Sequence, residues 1–557
     1  MSEAVDRFFA HYYQRRPVNA TFTGEHAFDE LLPDWSTGGL DACAAEMRAL
    51  HGNLVGAHAP VESAGDYAVV PDALDAELAR GFLETQSAEL DSGHGVRGNP
   101  SLWTGEAIFS VIALMTREFS PFDRRVLAAA ARLAAVPEFL ERGRVTLSPR
   151  PLPAAWTSRA LRECEGAAVL LTLGMERWTA SAPLPGTHAA LLLAASAVAL
   201  ASFDRFAQWL RSHPVAADNT TAAGPDLFDL FLERGHHCRR SRSDLEKEAR
   251  AALRDAMARL QEMARERFGS WDAAQSQLAE DHPSQADYLS AFGRLWNSCR
   301  ECATRNAAVT WPEWPIRYVP FPDWTRDAAA FLYYLFYRSP APGDPYTILD
   351  YAVPALPPTG VEQHLRAWNH SVIKLNHVVH HGAIGHHVQN WHANHQTKSR
   401  IGRVAAVDCA SRIGMMCGGT MAEGWACYAT ELMEELGFLT PLEEVSQQHS
   451  RVRFLARAVV DIGLHQGSMT FVDAVRFHRE HAGMSHSAAL AETTKNSMFP
   501  CTAIMYWLGT QGILDLRRDL KSRLGATFSL THFHDELLGY GSIPVPLVAR
   551  IMLDRVA

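Results

Sequence analysis

No long run of lysine and arginine stands out in this 557-residue chain, and its formal net charge of −10 is modest for the length. There is therefore no electrostatic reason to expect nucleic acid or an anionic membrane as partner. The amino terminus, Met1 to Phe9, has no basic region followed by an apolar core, so it reads as neither a secretory signal nor a lipoprotein leader. An apolar run of spanning length is also missing. The longest uncharged run, Trp178 to Phe203, is broken by Pro183 and Pro185, and the remaining Thr187 to Phe203 is short and rich in Ala and Ser, as suits a buried helix. These absences place the protein in the cytoplasm. The nine cysteines are odd in number and scattered, which fits reduced thiols rather than a disulfide framework. Cys299 and Cys302 form one Cys-x-x-Cys without a second pair to complete a tetrahedral site, and read as ordinary buried cysteines. No serine sits in a nucleophile elbow and no glycine-rich phosphate loop occurs, which disfavours serine hydrolases and nucleotide-dependent enzymes.

Histidine, by contrast, is concentrated. Nine of the 26 lie between His364 and His395, with His380-His381-Gly382-Ala383-Ile384-Gly385-His386-His387 at the centre. So dense a cluster in an apolar, helix-forming segment points to a metal site, because neutral imidazole is the commonest transition-metal ligand.

Around this centre the apolar residues recur mostly at helical spacing. The chain is expected to be mostly α, a large multi-helix, two-lobed fold with an N-terminal lobe over 1–290 and a metal-carrying C-terminal lobe over 291–557. The exception lies around 309–353, where β-branched, aromatic and proline residues (Val309 to Pro320, Tyr346 to Val353) predict a small irregular sheet or hairpin beside the substrate cleft. Val361 to Val379 reads as one continuous helix leading into the histidines.

A second constellation, Met421-Ala422-Glu423-Gly424-Trp425, also reads as helix. A carboxylate delivered from one helix to two histidines on another builds a zinc site with an open position. The histidine spacing is unusual, since Ile384 stands four after His380 and His386 stands six after it. Six residues on an ideal helix span about 9 Å and change face. Both imidazoles can reach one ion only if the helix is broken or bulged, and Gly382 and Gly385 supply that freedom.

His380-x-Gly-x-x-Gly-His-His387-x-Gln389, Glu423-Gly-Trp-Ala-x-Tyr428, Asp461-x-Gly-Leu-His465, Tyr506-x-x-Gly509 and Phe533-His534-Asp535 together resemble the bacterial family catalogued as domain of unknown function 885. Pro17-x-x-Ala20-Thr21-x-x-Gly24 and Gly541-Ser542-Ile543-Pro544-x-Pro546-Leu547 extend the resemblance to almost the whole chain. That family looks like a branch of the helical gluzincin-type zinc metallopeptidases. The resemblance implies a metallopeptidase-like fold, metal ligands at His380, His386 and Glu423 with His387 competing for the second place, and oxyanion donors at Tyr506 and His534. The chain departs from the family pattern where the general-base glutamate would stand, at His381, and also at Ile384, Thr430 (with Glu431 beside it) and Lys495.

Loss of a general base costs roughly a hundred- to ten-thousandfold in rate. Three functions follow. The first is a divalent-metal hydrolase, zinc before iron or manganese, cleaving an amide, short peptide-like or amino-acid-derived small substrate by metal-bound water, with His381 or Glu431 as improvised base. The second is a repurposed iron, manganese or dinuclear enzyme of lyase, isomerase or oxidative type. The third is a pseudopeptidase that binds without turnover. His364, His370, His377, His392 and His395 are expected to be non-ligands, and His465 to hydrogen-bond Asp461.

Overall fold

A computed structural model describes residues 3–57, 63–217, 221–332, 337, 339–341, 348–407 and 411–556. It is mostly helical, as the periodicity requires, and divides into two compact units that interleave along the chain. The first comprises Met1–His58, Leu83–Ala223 and Phe321–Pro345; the second comprises Ala59–Phe82, Gly224–Pro320 and Tyr346–Ala557. The boundary expected after residue 290 falls inside the helix Tyr288–Arg305.

In the first unit, Asn99 caps the helix Pro100–Thr116 by accepting from Ser101 N, and Pro100 supplies a preset first residue. Trp103, Ile108, Val111 and Leu114 bury that helix against Phe122–Leu147 and Ala154–Val169. Arg132 ties the amino-terminal segment to this core. Its guanidinium, fully buried, donates to the carbonyls of Ser110, Leu31 and Pro17 and to Thr21 Oγ1. Burial pulls its pKa down to about 10, so it stays charged at neutral pH. The Pro17…Thr21 motif is therefore an anchor for a buried cation.

The helix expected from Thr187 to Phe203 runs from Gly186 to Ser212 and is not a buried one. Leu192, Ala195, Ala199 and Phe203 pack inward, while Leu191, Leu193 and Val198 are exposed. At 27 residues it is long and apolar enough to cross a membrane by length and composition, with 33% of its most apolar window buried.

In the second unit, Thr440 and Glu443 form a capping box at the start of the helix Pro441–His465, which packs on Arg242–Phe268. Gly419–Glu435 lies against Met505–Leu524 backbone to backbone. A Cβ on Gly424 would stand 2.5 Å from Gly509 Cα, so both positions require glycine. Asp461 accepts from the amides of Cys501, Ala503 and Ile504 and so fixes the entry to Met505–Leu524; burial raises its pKa to about 7. The expected His465–Asp461 hydrogen bond is not made: the pair stands 3.6 Å apart, and His465 Nε2 donates to Asn496 O at 2.9 Å.

The sheet is two-stranded and parallel, Ile316–Pro320 beside Leu349–Val353 with Ile316 opposite Leu349, so it is not a hairpin. Tyr346 lies outside the described residues. Eight cysteines, Cys299 and Cys302 among them, are free thiols, and Cys409 falls outside the described residues.

Replacing Arg132 with Met should lower stability by about 3 to 5 kcal/mol, since several buried acceptors lose their only charged donor. The measurement is the urea midpoint of purified protein, and Arg132→Lys should recover only part of the loss because one ammonium cannot reproduce the fork.

Candidate metal centre

The helix leading to the histidines is not continuous. Val361–Ala367 stops at Trp368, and Asn369 caps a new start by accepting from Val372 N. From Ile373 to Gly382 the backbone is a ten-residue π-helix. This wider winding, common at functional sites, resolves the spacing problem together with a tight turn at Ala383–Gly385. Gly385 N bonds Val379 O at 2.9 Å, and a Cβ on Gly385 would lie 1.8 Å from His380 O. A Cβ on Gly382 would meet the Tyr318 hydroxyl at 2.4 Å. Trp296 Nε1 donates to Gly382 O, and Trp425 Nε1 donates to Ile384 O at 2.9 Å. The turn is thus clamped from two helices, and the next helix, His386–His395, begins with its first side chain folded back toward His380.

The consequence is a cluster of three imidazoles. One ring nitrogen each of His380, His381 and His386 lies within 4.8 Å of the others. Glu423, buried on Gly419–Glu435, faces them, with Oε2 3.5 Å from His380 Nε2 and 4.0 Å from His386 Nε2. Ligands held about 2.1 Å from one ion stand roughly 3 to 4 Å apart, and the separations of 3.5 and 4.0 Å from Glu423 to His380 and His386 lie in that range. Hydrogen bonds orient two of the rings. His386 Nδ1 bonds Gln389 Oε1 at 3.2 Å, and Gln389 Nε2 donates to Ser542 Oγ. His381 Nδ1 donates to Asn376 O at 2.6 Å. In both cases Nε2 is left with its lone pair free for the cluster.

Burial, reinforced by the neighbouring imidazoles, pushes His381 well below the usual histidine value and His386 down to about 4. Burial alone would raise Glu423, but the hydrogen bond from His380 leads the opposing interactions, and the carboxyl is held well below the usual carboxylate range. Neutral imidazoles beside an ionised carboxylate are the protonation states a metal ion needs.

Three expected site residues, His387, Glu431 and His534, are engaged elsewhere. His387 is turned away, its Nε2 donating to Trp314 O at 2.9 Å. Glu431 is paired with Arg451 at 3.0 Å. His534 has both nitrogens engaged, Nδ1 with Ala308 O and Nε2 with the Tyr428 hydroxyl, so it can offer no proton to an oxyanion. It packs edge-on to Trp425 and thereby supports the turn. Tyr506 is stacked on Phe454 with Arg457 over its ring at 4.9 Å. The remaining histidines of the cluster bond to the frame: His364 to Tyr288, His370 to Asp281, His377 to Tyr351, His392 to Thr310 and His395 to Trp391. Arg457, bidentate to Glu492, was not singled out by sequence; as one more arginine on a charged helix it gives no signal there.

The chain belongs to the family described as bacterial protein of unknown function (DUF885), which it matches over residues 17–552. Two solved structures share the fold over their full lengths. One, described as a putative lipoprotein of unknown function from Shewanella oneidensis, is 18% identical with a TM-score of 0.76, covering 99% of each chain. The other, described as a putative lipoprotein from Colwellia psychrerythraea, is 17% identical with a TM-score of 0.79, covering 100% of this chain and 98% of its own. No curated protein matches. These similarities overturn the cytoplasmic placement expected from the sequence: both full-length relatives are described as lipoproteins, and the amino-terminal residues do not decide the matter.

His386→Ala should lower metal content after zinc loading at least tenfold, whereas His387→Gln should leave it unchanged; inductively coupled plasma analysis of the two variants checks this. Gly385→Ala should behave as His386→Ala while keeping its far-ultraviolet circular dichroism, because its Cβ would open the turn without unwinding the helices.

Proposed function

We propose that the protein is a mononuclear metal-dependent hydrolase acting on an amide bond of a small peptide-like or amino-acid-derived substrate. The observation that carries this reading is the meeting of His380 and His386 at the buried carboxylate of Glu423, with a ring nitrogen of His381 within 4.8 Å of theirs. The resemblance of this histidine and glutamate arrangement to gluzincin-type metallopeptidases supports it. His380, His386 and Glu423 would hold the ion. When bound, a divalent cation supplies Lewis acidity at a carbonyl and makes water nucleophilic near neutral pH.

The protein's own groups then have defined tasks. His381, neutral and aimed by Asn376 O, accepts a proton at Nε2. A base so far depressed in pKa is a weak one, so turnover should be slow. With Glu431 bound to Arg451 and His534 fully engaged, Tyr506 is the remaining candidate donor to a developing oxyanion.

A second reading is favoured by one observation: His381 offers its nitrogen within the same cluster as His380 and His386. Four protein ligands would close a tetrahedral zinc site, whereas a six-coordinate iron or manganese ion would keep two positions open. This is the repurposed metalloenzyme.

One variant series separates the two. Glu423→Ala should lose metal and activity together in either case. Under the hydrolase reading, His381→Ala keeps one metal per chain and loses amide hydrolysis, while His381→Glu raises hydrolysis of a dipeptide and N-acyl amino acid panel by about a hundredfold. Loss of metal from His381→Ala, with iron or manganese in the protein as purified, would refute the hydrolase reading in favour of the second.

A further inference from the structure

A cleft of about 470 Å³ in the second unit is lined by the helices Trp271–Glu280 and Pro441–His465 and by the start of the π-helix. Two of its lining residues link it to the candidate metal centre. Asn376, one of its lining residues, receives the His381 hydrogen bond, and Arg457, another, lies over Tyr506 and within the field of Glu423. No aspartate or glutamate is among the described residues that line it, but two arginines are.

The two arginines differ. Arg457 is neutralised by Glu492 through two hydrogen bonds of 2.7 and 2.9 Å. Arg453, one turn earlier on the same helix, has a buried Nε with no acceptor. The acid whose charge reaches it is that same Glu492, already held by Arg457, and the other groups facing it are the imidazoles of His449 and His478. Burial and the charge of Arg457 accordingly push its pKa down. Across the cleft the hydroxyl of Ser371 is also buried without a partner. An arginine whose charge is not answered by an acid of its own, lining a space open to small molecules, is costly unless an anion completes it. Trp271 and Phe454 give the same cleft an apolar wall.

We propose that this cleft receives a carboxylate of the substrate and that Arg453 is the specificity-determining residue that binds it. The proposal rests on the reading of the neighbouring centre as an amide hydrolase, and it narrows the substrates to amides with a free carboxylate, such as N-acyl amino acids and peptides engaged through their C-terminus. The terminal N–H groups of the half-buried Arg453 guanidinium donate to the carboxylate oxygens, while the aromatic wall takes an apolar side chain or acyl group. The guanidinium fork suits the planar carboxylate, and a single arginine is a thin donor set for a phosphate dianion.

The test is isothermal titration of the purified full-length protein with N-benzoylglycine and with N-benzoylglycinamide, which differ only in the carboxylate. The acid should bind at least tenfold more tightly. Arg453→Leu should remove the difference with bound metal unchanged, and Arg453→Lys should restore part of it. The preference should also persist after the metal is stripped with chelator, since a metal ion could itself favour the acid. In thermal melts, Arg453→Leu should equal or exceed the natural protein, because it removes an unpaired buried cation. Equal binding of acid and amide, no binding of either at millimolar concentration, or a preference that survives Arg453→Leu would overturn the proposal. So would inorganic phosphate competing more strongly than the acid, or a fall in melting temperature in both variants, which would mark a structural arginine. Tight, Arg453-dependent binding of the acid without hydrolysis would leave this proposal standing and sink the hydrolase reading instead.

Discussion

The arrangement depends on burying the Glu423 carboxylate and answering its charge. An ionised carboxylate taken out of water costs several kcal/mol unless opposite charge or donors meet it. Here the groups that meet it are imidazoles, and burial drives two of them, His381 and His386, toward the neutral form that bears a lone pair. The result is a carboxylate surrounded by acceptors as much as by donors, a combination that a cation satisfies better than any protein group does. The rest of the second unit is a device for holding that combination together: a π-helix, a turn with no room for a Cβ, and two indoles that take up the carbonyls which the turn leaves unpaired.

Distant parts of the chain converge on this device, which explains why motifs far apart accompany the histidines. Ser542 accepts from Gln389, which in turn orients His386; the amide of Val545 donates to Thr420 Oγ1, one turn before Glu423. Gly541, at φ 74°, has no space for a side chain against Gly402. The C-terminal Gly-Ser-Ile-Pro segment is thus a strap across the helices that carry His386 and Glu423. His534, which looks like a catalytic donor by position, belongs to the same support through Tyr428 and Trp425.

What was legible in the sequence was what local pattern encodes. Helical periodicity located the helices, histidine density located the cluster of imidazoles, and the two glycines correctly marked a break in regular winding. Choices made by tertiary contact were not legible. Adjacent His386 and His387 are alike in sequence, and only the carbonyl of Trp314 decides which one faces away. Glu431 was an available base until Arg451, twenty residues on, claimed it. The stop at Trp368 was hidden because Val361 to Val379 keeps its apolar spacing across it. The parallel pairing of the strands was equally out of reach, since proline-rich edge segments are compatible with either direction.

A neutral His381 beside the cluster bears on charge as well as on proton transfer. A divalent ion with one carboxylate ligand and a glutamate base beside it forms a neutral ensemble, whereas the same ion with neutral His381 in that place keeps a charge of about +1. In a water-poor site such a surplus weakens binding of cations and favours an anionic substrate or transition state. The neighbouring cleft carries the same sign, because Glu492 neutralises only one of its two arginines. Both differences act in one direction. A pair of sites biased toward negative charge would suit a substrate that brings its own carboxylate.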